Sequence, residues 1–439
     1  MTTESSLQTP LLCPHPLAHT LTGSMADSLL LWAVEMGASD IVFRADDPPW
    51  IQVAGVWHPV SGTFAVSLSE TQLLTNYFSG QEYKAGNVQR GLAADFGYAV
   101  QIPGERGRFQ RFRVNVTSSN CGHYIVLRTL PKSLPRLEDL ALEKEIEEHI
   151  YPENGIVLVS GVMGSGKSTL LAAILHSAIL TKAYGGRNIG RQILTLEQPI
   201  EFDFSDIPHT ARSAPVAQSE IFRHVDSWAT GVRSMTRRKG EIVMVGEARD
   251  RETLQAMLSI CEQGVTCYAT VHAKDVPQTL TRIINTFPEE ERAAVSQVLK
   301  ANLRMVIHQR LVPMVRTVKG GHSEEGYATK EALCWQENLR KDRTKTVSAS
   351  SDTRKEPTGE KPVQRPFSRV ALREFLVFDE PLRQKLLETP LADLVSVVRE
   401  AVREKGQSLV GDARQKYAVG RIDACTYAAI RDEQEGRSV

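Results

Sequence analysis

The sequence predicts an α/β fold made of a small α+β domain, a larger parallel-sheet domain and a helical C-terminal region. Three observations carry this. From Gly155 onward, short apolar runs alternate with stretches of helical spacing, the order that builds a parallel sheet. Ahead of Leu130, short runs with period-two alternation dominate. Between the buried run Ile156-Val157-Leu158-Val159 and the helix after it stands a glycine-rich turn, Gly161-Val162-Met163-Gly164-Ser165-Gly166-Lys167-Ser168.

Taken in order, residues 1–24 are rich in Ser, Thr and Pro and read as a flexible tail. The stretch has no Lys or Arg, so the positive start of a secretory signal is missing. The small α+β domain is placed at residues 25–130. It opens on a helix over Ala26–Glu35, followed by strands at Ser39–Phe43, Trp50–Val53 and Val56–His58. Arg108–Val116 alternates polar and apolar residues, and Tyr124–Leu127 is a further strand. A linker at 131–136 holds Pro131 and Pro135, which fit neither a helix interior nor a central strand.

The parallel-sheet domain is placed at residues 137–337. Its expected elements are a helix over Leu137–Ile150, a strand at Gly155–Ser160, a helix over Lys167–Leu180, and strands at Gln192–Leu196, Glu241–Val245 and Thr266–Val271. Residues 338–368 are dense in Lys, Arg, Ser, Thr and Pro, a composition that cannot bury a core and reads as a flexible charged linker. Residues 369–439 read as helical, with one apolar stripe at Leu382, Leu386 and Leu387, another at Leu391, Leu394 and Val398, and a boundary at Pro390.

Composition narrows the function. The 439 residues carry 52 basic and 52 acidic side chains, so whole-chain charge gives no support to a nucleic-acid binder. The six cysteines are scattered without C-x-x-C spacing, which argues against a zinc site or a disulfide framework. No apolar run is long enough to span a bilayer, so membrane contact is expected to be peripheral only.

The turn at Gly161–Ser168 fits G-x-x-x-x-G-K-[ST], and it has the strand before and helix after that this motif requires. Its glycines let backbone N–H groups turn toward phosphate oxygens, and the helix behind it aims its positive end at the same place. Gly161, Gly164, Ser165, Gly166, Lys167, Ser168 and the adjoining Thr169 form the expected nucleotide-binding set. Lys167 is expected to reach the β- and γ-phosphates, and Ser168 to hold Mg²⁺. Downstream, Ile242-Val243-Met244-Val245-Gly246-Glu247 is an apolar strand ending in an acid, which sets Glu247 beside the metal and its water shell. Leu194-Thr195-Leu196-Glu197-Gln198-Pro199-Ile200-Glu201-Phe202 ends a second strand in acids, either of which can act as general base. Arg233 and Arg237 share a helix face by i,i+4 spacing and can neutralise charge on the γ-phosphate. His272, after the apolar run ending at Val271, can sense that phosphate.

These blocks together resemble the PilT/GspE-type secretion ATPases of the type II and type IV systems. The phosphate loop, the acidic box Leu194–Phe202, the Walker B run through Val245-Gly246-Glu247-Ala248-Arg249-Asp250 and the histidine box Ala269-Thr270-Val271-His272 carry the resemblance. Phe112-Arg113-Val114-Asn115, Leu127-Arg128 and the segment from Leu303 to Pro313 add to it, so it covers Met25 to Pro313. The resemblance implies a PAS-like N-terminal domain joined to a RecA-like core, assembled as a homohexameric ring. It implies Glu201 as the catalytic glutamate, Glu247 as the Walker B glutamate, and Arg113 and Arg128 as arginines that the N-terminal domain supplies to ATP.

Some residues depart from the family pattern. Gln198 stands where the acidic box usually has Asp, and Val265 follows Gly264 where a first His is usual. The tetracysteine site of the pilus-assembly branch and the retraction-type C-terminal sequence are missing. These features lean toward the type IVB branch, which includes the Dot/Icm ATPase DotB and the plasmid-transfer ATPase TraJ. The function implied is an ATP hydrolase powering a type IV secretion or conjugative transfer apparatus, or its pilus. It would stand at the cytoplasmic face of the bacterial inner membrane, with the secretion machinery and its coupling proteins as partners and without sequence-specific nucleic-acid binding. Two rivals are a nucleotide-gated assembly scaffold with little turnover, to which Gln198 gives weight, and a RecA-like helicase, against which the neutral charge weighs.

Overall fold

The structure, a computed structural model, describes residues 11–12, 20–61, 65–181, 190–315, 369–404 and 408–434. The charged linker read at 338–368 lies outside the described residues, as does most of the N-terminal tail.

Two seven-stranded sheets organise the described residues. The first holds β1 (Leu11–Leu12), β2 (Ala38–Arg44), β3 (Trp50–Val53), β4 (Val56–Ser61), β5 (Ala94–Gln101), β6 (Phe109–Ser119) and β7 (Gly122–Thr129), in the order β1-β4-β3-β2-β7-β6-β5. Its pairs are antiparallel except β1 with β4. Alternation explains its inner face: Phe112, Val114 and Val116 of β6 and Ile125 and Leu127 of β7 are buried against α1 (Gly23–Glu35) and α2 (Leu68–Ser79). Each such side chain buried stabilises by about 1.5–3 kcal/mol. Ala54 and Gly55 (φ 51° and 84°) make the two-residue turn between β3 and β4, both in the left-handed region that a tight hairpin favours. The Ser67 hydroxyl and Glu70 carboxylate form a capping box at the start of α2, and Glu70 also accepts from the Leu21 amide. A short helix, α3 (Lys84–Gln89), precedes β5. This unit is the PAS-like α+β domain.

The second sheet holds β8 (Gly155–Ser160), β9 (Ile193–Glu197), β10 (Val216–Glu220), β11 (Ile242–Val245), β12 (Thr266–Val271), β13 (Leu303–Pro313) and β14 (Arg369–Val377), in the order β10-β9-β11-β12-β8-β13-β14. Every neighbouring pair is parallel except β13 with β14. Both faces are covered, as a parallel sheet requires. On one face Val157, Val159 and Met305 pack with α5 (Lys167–Leu180). On the other, Ile156, Leu158, Val243 and Val245 pack with α6 (Trp228–Arg237), α7 (Arg251–Cys261) and α8 (Val276–Asn285). α9 (Glu289–Asn302), α10 (Glu380–Glu388) and α11 (Leu394–Glu404) extend that layer. α12 (Leu409–Ala418) and α13 (Ala424–Gln434) form a separate small core with Val312 and Leu372. This is the RecA-like core, and β12 between β8 and β11 sets the strand that leads into Gly161–Ser168 one strand away from the strand that leads into Glu247.

Two expected elements differ. The helix read over Leu137–Ile150 is a short 3-10 turn, Glu138–Leu140, followed by α4 (Lys144–His149). Ala141 breaks it at φ 43°, and the carbonyls of Leu140 and Ala141 accept from the Arg373 guanidinium instead of continuing a helix. The region from Arg369 is helical only from Glu380. Its first nine residues are β14, whose buried run from Leu372 to Val377 completes the core sheet beside β13. The break at Pro390 falls between α10 and α11.

Candidate active site

The C-terminal ends of β8, β9, β11 and β12 lie along one edge of the parallel sheet, where open α/β sheets bind ligands. The Gly161–Ser168 loop leaves β8 there. Gly161 has φ 149°, and a Cβ on it would lie 2.4 Å from the Gln309 carbonyl oxygen. Gly164 and Gly166 have φ 74° and 82°. Glycine supplies such backbone conformations without strain. Gly166 then caps α5, whose free N–H groups face the loop. The Ser165 hydroxyl is buried with no hydrogen-bond partner. Lys167 folds back over the loop, its Nζ donating to the carbonyls of Gly161 at 3.0 Å and Val162 at 2.8 Å. Orphaned hydroxyl, glycine cradle and an ammonium folded over the loop together fit a polyphosphate. Burial pushes the Lys167 ammonium below its usual range, and the Glu247 and Glu201 carboxylates pull it back up.

Glu247 follows β11, and His272 follows β12. The His272 Nε2 lies 3.0 Å from the Glu247 Oε1, and Arg249 pairs with the same oxygen. Burial lowers the His272 imidazole, the Lys167 charge lowers it further, and Glu247 opposes both. A neutral imidazole next to an acid can donate one hydrogen bond and accept another as phosphate charge changes. Asp250, which closes the Walker B run, is the N-cap of α7 and accepts from the Thr253 amide at 2.8 Å, a structural duty. Mg²⁺ needs few protein ligands and keeps several waters. The exposed Ser168 hydroxyl at the start of α5 and Glu247 fit that sparse donor set, and no denser metal cluster stands among the described residues.

The acidic box follows β9. Glu197, which ends the strand, is buried and accepts from the Thr195 hydroxyl at 2.6 Å and the Gln218 amide at 3.0 Å. Burial raises its carboxyl to about 7 against those two donors. Glu201, four residues on, lies in the turn close enough to bear on Lys167. That turn is held from the N-terminal domain. Arg111 of β6 donates to the carbonyls of Ile200 and of Glu201. Glu220, at the end of β10, accepts from the Ile200 amide at 3.4 Å and from the Gly97 amide of β5 at 3.0 Å.

Arg111 was invisible in the sequence pattern, although its spacing from Arg113 places both on one face of β6. Arg113 and Arg128 stand opposite each other in the β6–β7 register, paired with Asp95 at 3.8 Å and with Asp40 at 2.9 Å. The structure does not bring either to the phosphate loop within this chain. Arg233 and Arg237 lie on the exposed side of α6, whose other side buries Val232 and Met235.

Comparison with known proteins gives concordant results. The family described as Type II/IV secretion system protein matches residues 95–428. The Type IV pilus retractation ATPase PilT of Pseudomonas aeruginosa is 32% identical over 287 residues, covering 65% of this chain and 78% of that one. Among solved structures, the Legionella pneumophila ATPase DotB superposes with a TM-score of 0.77 at 32% identity, covering 97% of this chain and 100% of that one. The pilus retraction motor PilT with bound ADP superposes with a TM-score of 0.66 at 25% identity, covering 91% and 94%. The family match runs past Pro313 into α13, so the similarity extends beyond the limit read from the motifs and takes in β14 and the C-terminal helices.

Proposed function

The chain belongs to the type II/IV secretion system protein family, and from that premise we propose that it works as a hexameric ring driving a type IVB secretion or conjugative transfer apparatus, or its pilus. It is an ATP hydrolase and a motor ATPase of the secretion and pilus type. The observation that carries the enzymatic reading is the meeting of Lys167, Glu247 and His272 at one loop. The likeness to the Legionella DotB structure over nearly the whole of both chains supports the IVB assignment.

In this reading the triphosphate lies in the Gly161–Ser168 loop, with Ser165, Lys167, Ser168 and Thr169 as its contacts. Ser168 and Glu247 would hold Mg²⁺, which when bound would offset charge on the phosphates. Glu201 takes the proton of the attacking water, and His272 reports whether the γ-phosphate is present. Arg113, Arg128, Arg233 and Arg237 supply positive charge to the phosphates as the domains close. Most of the rate comes from positioning and charge stabilisation. Loss of the γ-phosphate removes contacts that favour one domain arrangement, so the N-terminal domain turns relative to the core.

The partners in this reading are five further copies of the chain, membrane-embedded secretion components and their coupling proteins, with the ring at the cytoplasmic face of the inner membrane. Among the described residues no helix is long and apolar enough to cross a membrane. Negative-stain images of the purified chain with ATP test the ring, and phosphate release by Lys167→Ala tests the site. A six-fold ring and an inactive variant are expected. A monodisperse monomer, or a variant as active as wild type, would overturn the proposal.

A further inference from the structure

Behind the phosphate loop lies a buried polar strap that the chemistry above leaves unused. Gln309 of β13 is 4% exposed and sits under two loop glycines. A Cβ on Gly161 would meet its carbonyl oxygen at 2.4 Å, and one on Gly166 would meet its Nε2 at 2.8 Å. That Nε2 donates to the Ser165 carbonyl at 2.7 Å, while Oε1 accepts from the Arg373 Nε at 3.0 Å. Arg373 is the register partner of Gln309 on β14 and is 2% exposed. Arginine only donates, so it fixes which end of the amide faces it and therefore which end faces the loop.

Arg373 is in turn held from two sides. Its guanidinium donates to the carbonyls of Leu140 at 2.9 Å and Ala141 at 3.2 Å, and to Glu143 at 3.2 Å. Its backbone amide donates to the Asp412 carboxylate on α12 at 2.7 Å. One turn along, Lys416 closes the cluster onto Asp412 at 2.6 Å and Glu143 at 3.1 Å. Burial raises the Asp412 carboxyl, and Lys416 opposes it. Two acids and two bases cancel, and every guanidinium nitrogen has a partner. A buried cluster of this kind adds little net stability, so its effect is to fix a geometry.

The geometry fixed is that of the loop backbone. The Ser165–Gly166 peptide is planar, so its carbonyl and its N–H point in opposite directions. Holding the Ser165 carbonyl against Gln309 turns the Gly166 N–H toward the phosphate side. We propose that Gln309 and Arg373 are positioning residues of the phosphate loop, through which α12 and the segment at 140–143 set nucleotide affinity. This rests on the reading of Gly161–Ser168 as the ATP loop. It gives the C-terminal helices a direct mechanical route to the nucleotide, so whatever engages them alters ATP binding.

Titration of the full-length chain with a fluorescent N-methylanthraniloyl-ATP and Mg²⁺, together with steady-state turnover, tests it. Gln309→Glu keeps the Arg373 partner but sets a carboxylate against the Ser165 carbonyl. It is expected to weaken binding about tenfold, as the loss of one buried hydrogen bond does, with kcat at saturating ATP within about twofold of wild type. Asp412→Ala is expected to weaken binding about threefold, and the double variant to match Gln309→Glu alone, since both act through one bond. Wild-type affinity in Gln309→Glu, with binding lost in Lys167→Ala, overturns the strap and leaves the ATP site standing. Wild-type affinity in Lys167→Ala overturns both. An unfolded Gln309→Glu, or a double variant equal to the product of the single effects, also overturns the strap.

Discussion

Arg111→Ala tests whether the N-terminal domain holds the acidic turn at Ile200 and Glu201. Arg111 reaches across from β6 to the Ile200 and Glu201 carbonyls. Hydrogen bonds with a charged partner contribute about 1.5–3 kcal/mol each when well formed. The Glu201 contact is long, at 3.5 Å, and the side chain is half-buried, so the pair together is worth about 1.5–2 kcal/mol. Glu220 still ties Gly97 to Ile200 in the variant, so the domains stay joined and the turn loosens without unfolding. If the lost energy falls on the transition state, kcat drops about tenfold to thirtyfold while the KM for ATP changes little. Arg111→Lys, which keeps charge but loses the fork, should recover only part of the rate. Phosphate release measured across ATP concentrations, with a melting curve for each variant, reads both quantities. A kcat within twofold of wild type would refute the reasoning, and a loss confined to KM would assign Arg111 to ATP binding instead.

Glu197→Gln should stabilise the protein at pH 8 and not at pH 4. The folded carboxyl titrates at about 7, above its unfolded range, so the native state is penalised once pH rises through that window and is free of the penalty below it. The gain at pH 8 is at most about 3 kcal/mol, read as a rise in melting temperature, and an equal shift at both pH values would contradict the assignment. Gly161→Ala should cost about a hundredfold in ATP affinity, because its Cβ would meet a backbone oxygen at 2.4 Å in a conformation that penalises L residues. Unchanged affinity by fluorescent ATP titration would rule out the tight loop. Tyr268→Phe removes a buried hydroxyl that donates to the Ile150 carbonyl at 2.7 Å, and should lower stability by about 1–3 kcal/mol in urea without changing turnover.

The candidate site was legible where chemistry dictates spacing. Gly161–Ser168, Glu247 and His272 each follow a buried apolar strand, and the parallel sheet brings strand ends to one edge, so order along the chain became proximity. What stayed hidden depends on which side chain crosses between units. Arg111 and Arg113 share a face of β6, and nothing local says that Arg111 alone reaches the acidic turn. Gln309 and Arg373 meet only because β13 and β14 pair antiparallel, and β14 follows a charged stretch that masked its short apolar run. The helix expected at Leu137–Ile150 failed for a related reason, since its carbonyls are claimed by Arg373, whose arrival no local propensity reports. Asp250 shows the converse: it sits inside a run that carries the family resemblance, yet it serves as a helix cap.

The central claim is that this chain hydrolyses ATP with Glu201 activating the water. The most direct measurement is phosphate release at saturating ATP by Glu201→Gln beside wild type, with fluorescent ATP titration of both. The account predicts that Glu201→Gln binds ATP as wild type does and turns over at least about a hundredfold more slowly, the usual scale for losing a general base. Equal turnover would contradict it, and would favour a chain that binds ATP only to assemble.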